Sequence, residues 1–394
     1  MIAFKLPPEL IQLTLSFLSP SEIDDLFEIN EIFHDCQDRD DPYFQIRLIA
    51  LQEYFSNRRL MLSNSYYLLD YVEITLEQIK YLKRENIMVN PREISVFISD
   101  RLVTTDEVEF IKQLCYDDLL QFVTSWSTKK LKFQLELINT VGKEALSEVL
   151  MLVSSINCKL ETFLLKYNGK LPYVECDFSI DVNNLKLQLP GSPELLQDIN
   201  RNDCFTNITS LNLSFNGISD YSLGQFKFPQ SLVQLNLSNN LLTNVDDFNF
   251  NWKCLTKLES LDLSNNNIQH FNLHGRSENL YQLTQLKLSG NHLVTVPKLY
   301  NAFFGNLREL DLSRNMLCCL HRFPGCLLKL SLRGNYLTQF HTQVQGDIFP
   351  KTLTHLDLSH CRIGCQHELT TEEISNHLVS VEKLYNLSDL QIEG

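Results

Sequence analysis

Ile208-Thr209-Ser210-Leu211-Asn212-Leu213-Ser214-Phe215-Asn216-Gly217-Ile218 is the stretch that decides the fold, because its pattern returns six more times. The common phrase is Leu-x-x-Leu-x-Leu-x-x-Asn-x-(Leu/Ile). It recurs as LVQLNLSNNLL (232–242), LESLDLSNNNI (258–268), LTQLKLSGNHL (283–293), LRELDLSRNML (307–317), LLKLSLRGNYL (327–337) and LTHLDLSHCRI (353–363). Leu211, Leu235, Leu261, Leu286, Leu310, Leu330 and Leu356 mark the same slot, at steps of 24, 26, 25, 24, 20 and 26 residues.

A fixed phrase at this period is the signature of a leucine-rich-repeat solenoid. The Leu-x-Leu core alternates with period two, so each phrase predicts a short strand with one buried face. One repeat cannot bury its leucines alone; stacked neighbours close a continuous core. Asn216, Asn240, Asn266, Asn291, Asn315 and Asn335 fall where the chain turns off the strand. An inward amide there would satisfy backbone groups that the turn leaves without partners. In the seventh phrase Cys361 takes this place. The expected fold class is α/β, a leucine-rich-repeat horseshoe preceded by a small N-terminal helical module.

Both ends of the array are less regular. LSDLQI (387–392) is a partial eighth phrase, and the stretch before it, with Thr371 as N-cap, predicts a helix in a terminal capping unit. Upstream, ISVFIS (94–99), KFQLELINT (132–140), KLETFLLKYNGKL (159–171) and NLKLQL (184–189) predict strands. Residues 104–116 and 142–156 carry helical spacing. These features predict degenerate strand–helix repeats from near residue 90; a separate small α/β domain over about 90–200 is the alternative. The expected division is 1–40 for the N-terminal module, 41–90 for a helical linker or cap, 91–200 for degenerate repeats and 201–394 for regular repeats with the C-terminal cap.

At the N-terminus, Ile11, Leu15 and Leu18 share one helical face and Leu10, Leu13 and Phe17 an adjoining one. Pro8 suits the start of that helix, and Ser21-x-x-Asp24 predicts a capping box for a second, with Ile23, Leu26, Phe27, Ile29, Ile32 and Phe33 as its apolar positions. The apolar surface exceeds what so small a unit buries, which suggests a docked partner. Leu6-Pro7-x-Glu9-Leu10, Leu15-x-x-Leu18-Ser19-Pro20, Ile23-Asp24-Asp25-Leu26 and Ile29-Asn30-x-x-Phe33 resemble an F-box in order and spacing. The resemblance covers roughly 35 residues and departs from the family in the acidic run Asp35–Asp41. The alternative is a hydrophobic cap of the solenoid.

F-box proteins with C-terminal leucine-rich repeats are substrate receptors of SCF-type cullin–RING ubiquitin ligases. The resemblance thus implies a Skp-family adaptor, and through it a cullin, docked on Leu6, Pro7, Leu10, Leu15, Leu18, Ile23 and Leu26. It also implies a protein substrate on the repeats and a cytoplasmic or nuclear location. A repeat scaffold or regulatory subunit without a ligase is the second reading.

No run approaches 18 apolar residues, and Lys5 and Glu9 interrupt the start, so neither a membrane span nor a secretory signal is expected. Eleven cysteines without paired spacing suggest reduced thiols. His360, Cys361, Cys365 and His367 lie close enough in sequence to suggest zinc, but Cys361 already has its place in the repeat, and no metal or cofactor is expected. Residues 1–199 hold 31 acidic and 19 basic side chains, a balance of −12; residues 200–394 hold 17 and 15, a balance of −2. The repeats therefore lack the basic stripe of a nucleic-acid binder. Ser214, Ser238, Ser264, Ser289, Ser313 and Ser359 occupy one repeating slot, which makes them architecture, and no catalytic motif accompanies them.

The outward strand positions then predict the binding face. Distinctive side chains concentrate in the fourth to seventh phrases, and Lys287, Glu309, Asp311, Arg314, Lys329, Arg333, His355 and Asp357 are the expected protein-binding residues.

Overall fold

A computed structural model describes residues 7–19, 22–23, 25, 44–63, 70–99, 113, 118–126, 130–137, 150–151, 153–154, 159–167, 180–190, 205–224, 226–245, 254–271, 280–297, 299, 304–337, 349–363, 367–368 and 389–391. The chain divides into two compact units. The first comprises residues 1–168 and 172–182, the second 169–171 and 183–394.

In the first unit α1 (Pro8–Leu15) carries Pro in its first turn, where the absent N–H has no helical partner to lose. Its Gln12 Nε2 donates to Glu53 Oε1 at 2.6 Å, on α2 (Phe44–Phe55). Leu15 and Ile23 are buried, whereas Leu13 and Phe17 stand in solvent. After α1, Ser19 and Glu22 cap one another; the expected box of Ser21 and Asp24 lies outside the described residues. Ser19 N–H and hydroxyl both donate to Glu22 Oε2 (2.7 and 2.6 Å), and Glu22 N–H returns to Ser19 Oγ.

The sheet of this unit is parallel throughout. Strand β1 (Arg59–Ser63) pairs with β2 (Val72–Glu73) and β3 (Glu93–Ser99); β3 pairs with β4 (Leu131–Leu137), and β4 with β5 (Leu160–Tyr167). The segment 41–90, expected as a helical linker, thus contributes two strands of its own. Leu60 pairs with Ile94, Ile94 with Leu131, and Phe133 with Phe163, so successive strands are 34, 37 and 30 residues apart. These steps are longer than in the regular phrases because they accommodate helices. One is α3 (Leu76–Arg84), capped by the reciprocal Thr75–Gln78 box, and another is α4 (Leu119–Thr124). Buried Leu131, Phe133, Leu135 and Leu137 alternate with half-buried residues, and the Phe133 and Phe163 rings stack at 6.4 Å.

One polar cluster ties three of these strands. Glu93 is buried and accepts Lys132 Nζ at 2.7 Å and the Tyr71 hydroxyl, while the Arg59 guanidinium lies over the Tyr71 ring. Burial pushes the Glu93 carboxyl up, but the Lys132 and Tyr71 hydrogen bonds and the ammonium charge outweigh it and hold it below its ordinary value.

The second unit stacks one short strand per phrase. Strand β6 (Ile180–Gln188) pairs through its later residues with β8 (Ser210–Asn212), ahead of which β7 is the two-residue Phe205–Thr206. Then follow β9 (Gln234–Asn236), β10 (Ser260–Asp262), β11 (Gln285–Lys287), β12 (Glu309–Asp311), β13 (Lys329–Ser331) and β14 (His355–Asp357), each parallel to the last. Two-residue strands β15 (Arg362–Ile363) and β16 (His367–Glu368) form a small antiparallel pair, and β17 (Asp389–Gln391) closes the series against β14. One register runs throughout, placing Leu185, Leu211, Leu235, Leu261, Leu286, Leu310, Leu330, Leu356 and Leu390 side by side. The expected eighth strand is therefore present at the predicted residue. The helix expected after Thr371 and most of the helices expected at 104–116 and 142–156 lie outside the described residues.

A ladder of buried asparagines holds the coils together. Asn266 Nδ2 donates to Leu263 O in its own repeat and to Leu237 O in the one before, both at 3.0 Å, and Leu242 N–H donates to its Oδ1 at 3.1 Å. Asn240, Asn291, Asn315 and Asn335 repeat all three bonds, with the donors to their Oδ1 being Ile218, Ile268, Leu293 and Leu317. Cys361 keeps one of them: its Sγ donates to Leu332 O of the preceding repeat at 3.2 Å. Burial pushes that thiol up to about 11.

Beside this ladder runs a column of left-handed backbone. Phe215, Asn239, Asn265, Gly290, Arg314, Gly334 and His360 all have φ between 52° and 68°. The N–H groups of the first six donate to the next repeat, as in Asn265 N–H to Ser289 O at 2.7 Å and Gly290 N–H to Ser313 O at 2.9 Å. The turn geometry requires this conformation whatever the side chain, so glycine fits it best.

Three outcomes follow from these contacts. Asn266→Ala removes partners from two buried carbonyls and one N–H, and should lower unfolding free energy by about 3 kcal/mol, with the denaturant slope unchanged. Gly290→Ala should destabilise by about 1 kcal/mol through its φ of +65°, its Cβ also displacing the Asn265 amide; Arg314→Gly should stabilise or leave stability unchanged. The Glu93 contribution should be complete above the unfolded carboxylate range and fall away as pH drops through the depressed folded value. Acid titration of Glu93→Gln should therefore lack a stability loss that the parent chain shows.

Candidate protein-binding face

The strands of the second unit present two outward columns, one at the first strand residue and one at the third. The third-residue column is Asn212, Asn236, Asp262, Lys287, Asp311, Ser331 and Asp357. In five of the seven repeats its side-chain oxygen is committed to the backbone. Asn212, Asn236, Asp262, Asp311 and Asp357 each accept, through Oδ1, the N–H two residues on (2.9–3.0 Å). These are Asx turns, which steer the chain off the strand. Asp311 and Asp357, expected as binding residues, thus spend one oxygen on the fold. Asp357 spends more, since Ser359 Oγ donates to its Oδ1 at 2.6 Å and Ser331 Oγ to its Oδ2 at 3.3 Å. Lys287 breaks the column, because an ammonium cannot accept a hydrogen bond.

The first-residue column carries a chain of side-chain hydrogen bonds across four strands. Ser260 Oγ donates to Gln285 Oε1 (2.8 Å), Gln285 Nε2 to Glu309 Oε2 (2.8 Å), and Lys329 Nζ to Glu309 Oε1 (2.6 Å). The Lys329 bond first, then that from Gln285, holds the Glu309 carboxyl below its ordinary value. This pair is more than a third exposed on both sides, so its own contribution to stability is under about 1 kcal/mol. Its effect is positional, fixing an anion and a cation on neighbouring strands. Next in the column, His355 has Nδ1 2.7 Å from Thr354 Oγ1.

Between the columns lies a groove of about 330 Å³ over β11 to β14. Lys287, Glu309, Asp311, Lys329, His355 and Asp357 line it, six of the eight expected residues. Gln285 and Ser331 line it as well; they share the two columns, which is the signal that could have found them. Arg314 and Arg333 do not. Both are exposed in the turn beyond the strands, where Arg314 N–H donates to Arg333 O at 2.6 Å. Arg333 continues the outward alternation of its strand but follows it into the turn, and Arg314 occupies the left-handed position one slot further on, where the chain has already left the sheet. Among the described residues no three His, Cys, Asp or Glu side chains are placed to hold a metal ion, and no helix is long and apolar enough to cross a membrane.

The residues expected to dock an adaptor are differently disposed. Leu15 and Ile23 are buried within the first unit and Leu18 is half-buried, its carbonyl receiving Arg58 Nη2 at 3.1 Å. Pro7 is exposed; Leu6, Leu26 and the side chain of Leu10 lie outside the described residues. Two of the supposed contact leucine-type residues are thus consumed by internal packing.

Comparison with known proteins agrees. The family models that match are "Leucine rich repeat" over residues 206–268 and "Leucine Rich repeat" over 350–364. No F-box is found. Tsukushi of Xenopus tropicalis is 27% identical over 198 residues, 42% of this chain and 55% of that protein. Tsukushi of Gallus gallus is 27% identical over 52% of this chain and 57% of its own length. Lumican of Rattus norvegicus is 40% identical over 87 residues, 22% of this chain and 24% of that one. The chain spans about half the length of the Tsukushi proteins it matches. Among solved structures, one titled "Crystal structure of TLR13-ssRNA13 complex" matches 88% of this chain and 49% of its own at 22% identity, with a TM-score of 0.49.

These findings overturn two expectations. An SCF substrate receptor with Skp-family adaptor and cullin has no support, since the relatives are leucine-rich-repeat proteins that act by protein–protein interaction. A cytoplasmic or nuclear location conflicts with the same relatives, which are secreted. These relatives are also non-catalytic binding proteins. Phrase, register and family models agree on one statement: this chain carries a leucine-rich-repeat solenoid.

Proposed function

We propose that this chain is a non-catalytic leucine-rich-repeat binding protein that holds a protein partner on the strand face of β11 to β14. The observation that supports this reading most is the groove itself. Over β8 to β10 the outward columns are short and polar, and their Asn and Asp oxygens are bound into Asx turns. From β11 onward they carry long charged side chains around a concavity. Among the third-column residues of the groove, Lys287 alone carries no acceptor for the turn N–H, which leaves its charge for a ligand. Glu309 and Lys329 form a fixed dipole beside it. Such charges contribute to specificity and association rate more than to affinity. The relatives' mode of action, binding without chemistry, favours the same reading.

The test is affinity purification of the full chain beside Lys287→Glu/Lys329→Glu, read by quantitative mass spectrometry, with circular dichroism as the folding control. Partners held on this face should fall by roughly tenfold or more in the double variant, the loss expected for about 1.4 kcal/mol or more of interaction. Arg314→Glu/Arg333→Glu should change them much less. Equal recovery from the parent and the Lys287→Glu/Lys329→Glu chains, both folded, would sink the assignment of this face.

A further inference from the structure

Cys318 and Cys319 are consecutive, and neither has a role in the repeat phrase. They follow the Asn315-Met316-Leu317 turn, and Cys319 makes an isolated parallel bridge to Thr295 of the preceding repeat. Their sulfurs lie 3.5 Å apart, and both residues are half-exposed. Cys318 Sγ also lies 3.6 Å from Val294 O and can donate its proton there. The contact between the sulfurs is itself within hydrogen-bond distance, and either thiol can donate across it. Cys361 offers the contrast: it is buried, its thiol is pushed up to about 11, and it is bound to a carbonyl of the ladder, the description of an inert structural cysteine.

We propose that Cys318 and Cys319 form a redox-active vicinal dithiol, a modification site on the flank of the fifth repeat. The oxidant is a small-molecule disulfide such as oxidised glutathione. The thiolate of one cysteine attacks a glutathione sulfur, forming a mixed disulfide and releasing one glutathione thiolate. The second cysteine, already in contact, loses its proton to solvent and attacks the cysteine sulfur of that mixed disulfide. The new Cys318–Cys319 bond forms as the second glutathione thiolate leaves and takes up a proton. In sum, two protein thiols are oxidised to one disulfide and one glutathione disulfide is reduced to two thiols. Contact between the sulfurs makes ring closure an intramolecular step of high effective concentration.

The ring should also open readily. Adjacent Cα atoms are about 3.8 Å apart, below the 4.4–6.8 Å range in which disulfides are unstrained. Strained, accessible disulfides are the reducible ones. Among the described residues no further ligand joins the pair into a group of three, so a closed tetrahedral metal site is not what this geometry offers.

The tryptic peptide Asn315–Arg322 contains both cysteines and no other, which makes the test direct. The intact, folded chain is equilibrated in glutathione buffers of decreasing reduced fraction, quenched in acid, alkylated and digested. The expected result is loss of both alkylation sites together, with the peptide lighter by two hydrogens than its dithiol form, independent of protein concentration and reversed by reduced glutathione. Cys318→Ser and Cys319→Ser, checked by circular dichroism, should instead stop at the glutathione adduct. Phenylarsine oxide, which condenses with two adjacent thiols and releases water, should block alkylation of this peptide at one equivalent in the parent and in neither variant. Independent alkylation of the two cysteines at every buffer ratio, or accumulation of glutathione adducts in the parent without ring closure, would overturn the proposal.

Discussion

Everything in the second unit depends on how a sharply turning backbone satisfies its own polar groups away from water. At the end of each short strand the chain leaves the sheet, and the carbonyls of Leu213, Leu237, Leu263, Leu288 and Leu312 face the interior without a sheet partner of their own. An asparagine amide offers two donors and an acceptor on one rigid plane, which is what the site requires. Each amide joins its own repeat to the one before, so the bond network and the leucine column propagate together. The stability of one coil is then inseparable from that of its neighbours, as expected of a quasi-one-dimensional stack. Cys361 marks where this exchange is reduced to a single inter-repeat bond, near the last strands of the series.

The same geometry limits which side chains are available for binding. A strand of three residues offers two outward positions, and the Asx turn claims an oxygen from one of them in five of seven repeats. Sequence variation in that column is therefore not free; it must keep an acceptor or forgo the turn bond. Lys287 forgoes it, and Ser331 turns its hydroxyl sideways to Asp357 instead. The first-residue column has no such obligation, and there Ser260, Gln285, Glu309 and Lys329 link to one another across the strands. A surface with its side chains already hydrogen-bonded loses less conformational freedom when a partner arrives.

Much of this was legible in the sequence, for a physical reason. Burial on a two-residue period and a polar residue with a backbone duty both recur at every coil, so seven noisy copies of one signal reinforce each other. Even LSDLQI, 34 residues beyond its predecessor, could be placed because Leu390 must meet Leu356. The groove was legible as far as columns go, down to Lys287, Glu309, Lys329 and His355. Arg314 and Arg333 lie off the groove because alternation describes extended chain: Arg333 follows its strand into the turn, and Arg314 sits at the left-handed position, which leaves no mark when the residue is Arg or Phe rather than Gly. The first unit was harder. Its steps vary from 30 to 37 residues as helices enter, and β1 near Arg59 to Ser63 is too short and too isolated in sequence to announce itself.

The N-terminal helices show where local pattern stops being informative. Apolar residues at helical spacing, a proline at the first turn and a capped second segment describe any short helical pair that must cover something. The pattern gives which residues share a face; it does not give whether that face meets another chain or its own. Gln12 bound to Glu53, Arg58 bound to the Leu18 carbonyl, and Leu15 and Ile23 both buried answer that the face is turned inward within the first unit. A solenoid-type sheet requires such a cover at its end, since an uncovered terminal coil would leave apolar area in water at about 25 cal/mol per Å². Among the described residues Pro7, Leu13 and Phe17 stand outward, and of the seven residues the motif implied, the described ones are exposed only at Pro7. An amphipathic pair evolved as a cover and one evolved as a docking site obey the same periodicity, so only packing separates them.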